Sequence, residues 1–277
     1  MPTDPPIVDA VKRRLIQHVD RRKFGRVRWI RKSREVHEYG ASVRDHLRYV
    51  LTDPELDNYS YDLGNDAEVG AWLEQMLGVD DGAAMIAEAR SDPALRARLD
   101  DASARRRWSM KQRPGLGRRL GWYAIVRALK PARVVETGTH DGIGSLVLLS
   151  ALERNAAEGS DGRLVSLDID PHTGWMVGDN PRFERVIGPT RETLPKVLAE
   201  PAGLFLHDSD HLYETEHFEL AAAAAAGVPV LLSDHSQEST ALADVCREHG
   251  GRYGYVREVP RDHFYPGAGI GIGIFGD

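Results

Sequence analysis

From residue 115 onward, short apolar runs alternate with stretches whose apolar residues recur every three or four positions. That pattern predicts strands and helices in turn. Strands are expected at 133–136, 163–168, 184–187, 203–207 and 229–233, and helices near 143–156, 191–199, 213–226 and 238–249. Runs that are apolar throughout belong to strands buried on both faces, which implies a parallel sheet covered by helices. The C-terminal stretch breaks this rhythm. There "GYVREVP" and "GAGIGIGIF" read as two strands with no helix between them, hence an antiparallel pair at one sheet edge. Gly alternating with Ile in 269–275 makes a strand with one glycine face; it is no phosphate loop, because no helix follows it.

Before residue 115 the pattern is helical. Val69, Trp72, Leu73, Met76 and Leu77 recur at helical spacing after Asn65 or Asp66, either of which suits an N-cap. "DPALRARLDDASARRRW" continues in the same manner, with Pro93 placed for a first turn. The expected organisation is an N-terminal helical region over 1–114 and an α/β domain over 115–277, a size that suits one large domain with an appendage.

Composition and charge narrow the function. With 42% hydrophobic and 28% charged residues the chain is that of an ordinary globular protein. A net charge of −6 gives no general case for nucleic acid as a partner. Residues 11–34 are rich in Lys and Arg, and such runs are usually solvated faces. Cys246 is the single cysteine, so no internal disulfide forms and a reducing compartment fits. "MPTDPPIVDAVKRRL" lacks the basic-then-apolar order of a secretory leader. "LAAAAAAGVPVLL" falls short of the roughly 20 residues of a membrane span. A soluble, cytoplasmic protein is expected.

"RVVETGTHDGIGS" is a strand, a glycine turn and a helix start, an arrangement that lets a ligand approach the backbone at a helix N-terminus. Gly138, Gly142 and Gly144 give G-x-x-x-G-x-G, which fails the G-x-G-x-x-G dinucleotide fingerprint, and no G-x-x-x-x-G-K-[ST] loop is present. Glu136 closes the first strand of the α/β region and Asp168 closes the second. An acid at the second strand's end can hydrogen-bond both ribose hydroxyls of an adenosine. Glu136 would repel a pyrophosphate and attract a cation. S-adenosylmethionine, with an ammonium, a sulfonium and no phosphate, satisfies both.

Four pieces in order, "WYAIVRALKPARVVETGTHDGIGS", "GRLVSLDID", "FLHDSDHLYE" and "VLLSDHS", resemble class I S-adenosylmethionine-dependent methyltransferases over residues 115–236. The resemblance implies a Rossmann-like, doubly wound, mostly parallel seven-stranded sheet, which the terminal antiparallel pair suits. It also implies that Glu136, Gly138, Gly142 and Gly144 line the methionine end and that Asp168 holds the ribose, with Asp208 nearby. "GPTRET" (188–193) would lie near the adenine, through Thr190 and Arg191.

"LFLHDSDHLYETEHFEL" (204–220) concentrates His207, Asp208, Asp210 and His211 after an apolar run. Asp208 ends the fourth strand, and Asp234 and His235 end the fifth, so neighbouring parallel strands bring them together. Two carboxylates and an imidazole suit a divalent ion such as Mg²⁺ or Mn²⁺. The arrangement resembles the catechol-type, metal-dependent O-methyltransferases, with His235 in place of an amide and His211 where that family carries a catalytic lysine. D-x-D-H-x-Y, with Tyr213, is closer to the sugar-modifying branch, which includes enzymes of methylmannose polysaccharide synthesis. A sugar hydroxyl is a poor nucleophile near neutral pH. A metal at Asp208, Asp234 and His235 would acidify it, and His211 would take its proton as general base. Asp210 either orients that imidazole or faces solvent.

The acceptor is expected to be a sugar or oligosaccharide, touched by His140, Tyr59, Tyr61 and Tyr213; a catechol-like or natural-product hydroxyl is the alternative. His217 is expected to be a surface or core histidine, and Arg118 and most of the segment before the first strand of the α/β region are expected to pack, with Arg119 a candidate for the cofactor carboxylate. A metallohydrolase is rejected, since around "HDSDH" Leu206 and Asp208 fill the histidine slots of H-x-H-x-D-H. A hydroxylase-like relative on the same fold and a non-enzymatic polyanion binder are the remaining rivals. The family implies a homodimer through the N-terminal helices.

Overall fold

A computed structural model describes residues 61–105, 115–261, 263 and 267–276; segment 11–34 and Tyr59 lie outside them. β1 (Asp62–Leu63) leads into α1 (Asp66–Leu77), α2 (Gly82–Ser91) and α3 (Pro93–Arg105). Asn65 stands at the N-cap position of α1, but its side chain does not cap. It reaches instead to Glu68, the Arg257 carbonyl and the Val259 amide, tying the helix start to the C-terminal part of the chain. Pro93 opens α3, where its missing N–H costs nothing.

The sheet follows. α4 (Arg119–Leu129) leads into β2 (Arg133–Thr137), α5 (Ile143–Ala157), β3 (Arg163–Asp168), β4 (Phe183–Ile187), α6 (Thr190–Val197) and β5 (Leu204–His207). Then come α7 (Tyr213–Ala225), β6 (Val230–Ser233), α8 (Ala241–His249), β7 (Arg252–Val256), β8 (Pro260–Arg261) and β9 (Ile270–Ile274). The seven strands lie in the order β4-β3-β2-β5-β6-β9-β7, and the first five are parallel. Alternation along each strand feeds two cores. Val134, Leu204 and Leu232 face one with Trp122 and Leu146; Val135, Phe205 and Leu231 face the other with Leu220 and Leu242. Val69, Leu73, Ile86, Leu95 and Leu99 join the first cluster, so the described part of the N-terminal region shares the sheet's core.

The last two strands form the expected antiparallel pair at one edge of the sheet, with β9 inserted between β6 and the edge strand β7. The cause is the glycine alternation. Ile270 and Ile272 are fully buried. On the other face, a β-carbon at Gly271 would stand 1.9 Å from Ser236 Oγ, and one at Gly273 would stand 2.6 Å from Cys246 Sγ. The glycine face lets α8 and the loop before it close over an inner strand. A two-residue pairing of β1 with β8 was not expected from sequence.

No helix among the described residues is long and apolar enough to cross a membrane.

Strand order reverses at β2, whose neighbours are β3 and β5. In open α/β sheets that is where a crevice opens above the strand C-termini. Register places Thr137 beside His207 and His207 beside Ser233, so Gly138, Asp208 and Asp234 leave three adjacent strand ends together.

Candidate active site

The glycine turn after β2 is built on positive φ: +88° at Gly138, +46° at His140 and +101° at Gly142, which is the residue before α5. Gly138 is also a contact. A β-carbon there would lie 1.9 Å from the Asp208 carbonyl oxygen, so the turn and the β5 exit loop touch backbone to backbone. At Gly144 a β-carbon would stand 3.1 Å from Glu136 Oε1 and 3.9 Å from Asp208 Oδ2. Gly138 and Gly144 thus keep side chains out of a cradle bounded by Glu136 and Asp208 at the start of a 15-residue helix.

Glu136 is buried and accepts hydrogen bonds from Ser145 Oγ (2.5 Å) and Ser166 Oγ (2.6 Å). Burial pushes its carboxyl up to about 7, against those two bonds and the nearby Arg119. A buried carboxyl of this kind is stabilised in its ionised form by a cationic ligand. Asp168 closes β3. Its Oδ2 accepts the His140 N–H at 2.9 Å and its Oδ1 accepts the Asp170 N–H at 3.0 Å, which fixes the carboxylate against the turn. Ile169, next along, is 72% exposed, an apolar side chain left open beside the expected ribose contact.

Thr190 and Arg191 go elsewhere. Thr190 donates to Glu219, and the Arg191 guanidinium lies 4.6 Å over the Phe218 ring, so both dock α6 on α7.

Across the turn, Asp208, His211 and Asp234 each offer one ligand atom, all within 4.8 Å of one another. Asp234 is buried, and Asp208 is partly so. His211 sits at the mouth, with Nδ1 3.7 Å from Asp234 Oδ1. Asp210 is exposed, so Asp234 and not Asp210 faces the imidazole. His235 stacks on the His211 ring with centroids 4.5 Å apart, and its Nε2 lies 3.8 Å from Glu238. The geometry therefore joins His211 to the two carboxylates and sets His235 behind it.

The charges are strongly coupled. Burial, reinforced by Asp234, raises Asp208 well above the ordinary carboxylate range. Asp234 goes the other way: burial opposes its charge, but His211 and Arg118 outweigh it and hold it low. Desolvation keeps His211 below the usual imidazole value, aided by the fields of His235, His207 and Arg118, and only partly offset by Asp234. His211 is accordingly neutral near pH 7, as a base must be.

Two residues at this site escaped the sequence reading. Arg118, taken as packing, is buried and donates from Nη2 to Asp234 Oδ2 at 2.9 Å, while its Cζ stands 5.2 Å over Trp122. Glu219, on α7, is fully buried and accepts from Thr137 Oγ1 (2.6 Å) and Ser209 Oγ (2.9 Å), with His207 Nδ1 at 2.8 Å. His207 therefore belongs to the scaffold beneath the loop and is no candidate ligand. Neither residue carries a sequence signal, because each partner comes from a distant element.

The substrate residues divide. His140 is exposed at the rim of the glycine turn. Tyr61 is 3% exposed and gives its hydroxyl to Glu258 Oε1 at 2.6 Å, so its ring is wall and not a stacking face for a sugar. Tyr213 donates to Asp244 Oδ2 at 3.0 Å and stacks on His217, which turns it toward α8. His217 Nε2 lies 3.0 Å from Glu248, the surface role of the two expected.

Residues 135–231 match the family model described as a methyltransferase domain. The catechol O-methyltransferase of Mycobacterium tuberculosis is 26% identical over 178 residues, 62% of this chain and 72% of that protein. An O-methyltransferase from Bacillus cereus, solved with S-adenosylhomocysteine, is 15% identical, covering 75% of this chain and 97% of that one, with a TM-score of 0.44. TomG of Streptomyces achromogenes, an O-methyltransferase of tomaymycin synthesis solved with S-adenosylmethionine, is 15% identical, covering 76% and 96%, with a TM-score of 0.47. Residues 135–231, from the first strand of the parallel sheet into the strand that precedes Asp234, thus match a methyltransferase domain.

Proposed function

We propose that this enzyme methylates a hydroxyl oxygen, with His211 as the general base and a sugar or oligosaccharide as the acceptor. The observation that carries the reading is the His211 ring at the mouth, its Nδ1 toward Asp234 Oδ1, beside a glycine cradle bounded by buried Glu136 and partly buried Asp208. S-adenosylmethionine supplies the methyl group from its sulfonium. Glu136 attracts the cationic methionine end, Asp168 receives the ribose hydroxyls, and exposed Ile169 offers an apolar face for the base. The Asp234 carboxylate, with Oδ1 3.7 Å from His211 Nδ1, favours the proton on that nitrogen by its charge, leaving Nε2 to take the hydroxyl proton while the oxygen attacks the methyl carbon in line. A base at this point removes the proton that would otherwise develop on a positively charged ether oxygen. The sugar assignment rests on the D-x-D-H-x-Y pattern, in which a histidine stands where the catechol-type enzymes carry lysine.

A second reading is favoured by the convergence of Asp208, His211 and Asp234 within 4.8 Å. Asp234 Oδ1 is buried without a hydrogen-bond partner, so the donor set fits a divalent ion such as Mg²⁺. Held there, the ion would lower the acceptor hydroxyl's pKa. The two readings exclude each other at His211 Nδ1, which either carries the proton or ligates. The His211→Ala variant separates them: bound metal retained with turnover lost supports the base, and metal lost with turnover supports the ligand.

Acceptor class is tested by radiolabelled methyl transfer to a panel of glycosides and catechols. Labelled glycoside supports the sugar reading. Labelled catechol alone would move the assignment to the small-molecule class named in the mycobacterial relative. A homodimer through the N-terminal region is part of the proposal, and sedimentation equilibrium measures it.

A further inference from the structure

The Asp208–Asp234 pair already has a cation. Arg118 Nη2 lies 2.9 Å from Asp234 Oδ2 and 3.9 Å from Asp208 Oδ1, approaching from the protein interior with a side chain that is 5% exposed. Its Nε and Nη1 are buried without hydrogen-bond partners. A guanidinium placed for packing or for bidentate recognition would use those donors. This one spends its bond on a single carboxylate oxygen and leaves the opposite oxygen, Asp234 Oδ1, facing His211 and the mouth.

We infer that Arg118 is the resident counter-cation of the Asp208–Asp234 pair and works against a divalent ion at the same carboxylates, so that the enzyme binds such an ion weakly. This rests on the reading of Asp208 and Asp234 as one site and is independent of which acceptor is methylated.

The electrostatics are simple. The guanidinium makes the carboxylate pair one unit less negative, whether or not Asp208 holds a proton. A divalent ion shared by Asp208, His211 and Asp234 would sit across one carboxylate from a fixed positive charge, in an environment where charges are poorly screened. Arg118 also makes the ion unnecessary for structure: Asp234 is buried, and a buried carboxylate needs a charged or hydrogen-bonding partner to remain ionised, which Arg118 supplies. Remove the guanidinium and the site must find a replacement cation. Arg118 comes from the segment leading into α4, 116 residues before Asp234.

The test titrates Mn²⁺ against the full-length protein, reading free Mn²⁺ by electron paramagnetic resonance, with S-adenosylmethionine binding measured on the same preparations. Wild type is expected to bind Mn²⁺ weakly, in the millimolar range. Arg118→Met should bind it at least about tenfold more tightly, and adding Asp234→Asn should abolish the gain. Arg118→Lys, which keeps the charge, should stay within about threefold of wild type. Low-micromolar Mn²⁺ binding by wild type overturns the inference whatever the variants do. Equal affinities in wild type and Arg118→Met overturn it too, as does an Arg118→Lys that binds as tightly as Arg118→Met. If no form binds Mn²⁺, the inference falls together with the divalent-ion reading, and retained cofactor binding and turnover in wild type would show that the methyltransferase reading stands. Should Arg118→Met fail to bind S-adenosylmethionine, the wild-type and Arg118→Lys titrations decide.

Discussion

Gly138 and Asp208 touch through their backbones: a β-carbon on Gly138 would lie 1.9 Å from the Asp208 carbonyl oxygen. The glycine turn after β2 and the exit loop of β5 are therefore one rigid corner. Gly138→Ala meets both that contact and a φ of +88°, so relief requires backbone movement. The expected cost is about 2–4 kcal/mol of stability, together with loss of cofactor binding. Chemical denaturation and a calorimetric titration of S-adenosylmethionine measure the two; an alanine variant of normal stability and affinity would refute the corner.

His211→Ala is expected to lower turnover by at least about a hundredfold while sparing S-adenosylmethionine affinity. His211 titrates below the usual imidazole value, and only its neutral form accepts a proton. Turnover in wild type should therefore rise with pH through that lowered value and be on its plateau by neutral pH. A single-turnover pH profile checks this, and the variant should lose the acidic limb.

Glu136 titrates at about 7, against an ordinary value of 4.5, because it is buried. In the folded protein it holds its proton over that interval while the unfolded chain has released it, so stability is greater below pH 4.5 and declines as pH rises through 7, by about 3 kcal/mol in all. Cofactor binding has the opposite slope, since the cationic methionine end favours the ionised carboxylate. Affinity for S-adenosylmethionine should increase roughly tenfold between pH 6 and 8, with proton release visible as a buffer-dependent binding enthalpy. Glu136→Gln should remove both trends.

Asp168→Ala removes the expected ribose contact and the acceptor of the His140 and Asp170 N–H groups. S-adenosylmethionine affinity should fall by about ten- to a hundredfold, with the folded state retained by circular dichroism. Unchanged affinity would place the ribose elsewhere.

Glu219→Leu strands the partners at Thr137, Ser209 and His207. A loss of about 3 kcal/mol is expected. Glu219→Gln keeps the shape and one acceptor oxygen and should recover most of it. Equal stability of the two variants in urea would contradict this account of the loop's anchoring.

Much of this molecule is legible along the chain. Apolar runs marked the four inner parallel strands β2, β3, β5 and β6 to within a residue or so, because burial on both faces leaves an uninterrupted signature. Glu136, Gly138, Asp168, Asp208 and Asp234 stood out because each follows or ends such a run, and strand C-termini in a parallel sheet open on one side. The insertion of β9 was not legible: glycine alternation announces a strand with a close-packed face, and which neighbours close on it is a matter of topology.

Charged side chains were where one-dimensional reading stopped. Arg118 and Glu219 have the composition of ordinary helix surface, yet both are buried. A helical pattern reports which face is apolar; it carries nothing about a guanidinium that meets an aspartate 116 residues on, or a glutamate that collects donors from two strand ends. Likewise Tyr61 read as an available ring and is sealed against Glu258. The sequence by itself determined the parallel strands, the glycine turn and the acids at its rim, since those follow from local periodicity. The tertiary structure alone decided how the acids are paired and which histidine faces them, since charge pairing depends on the crossing of elements far apart in the chain.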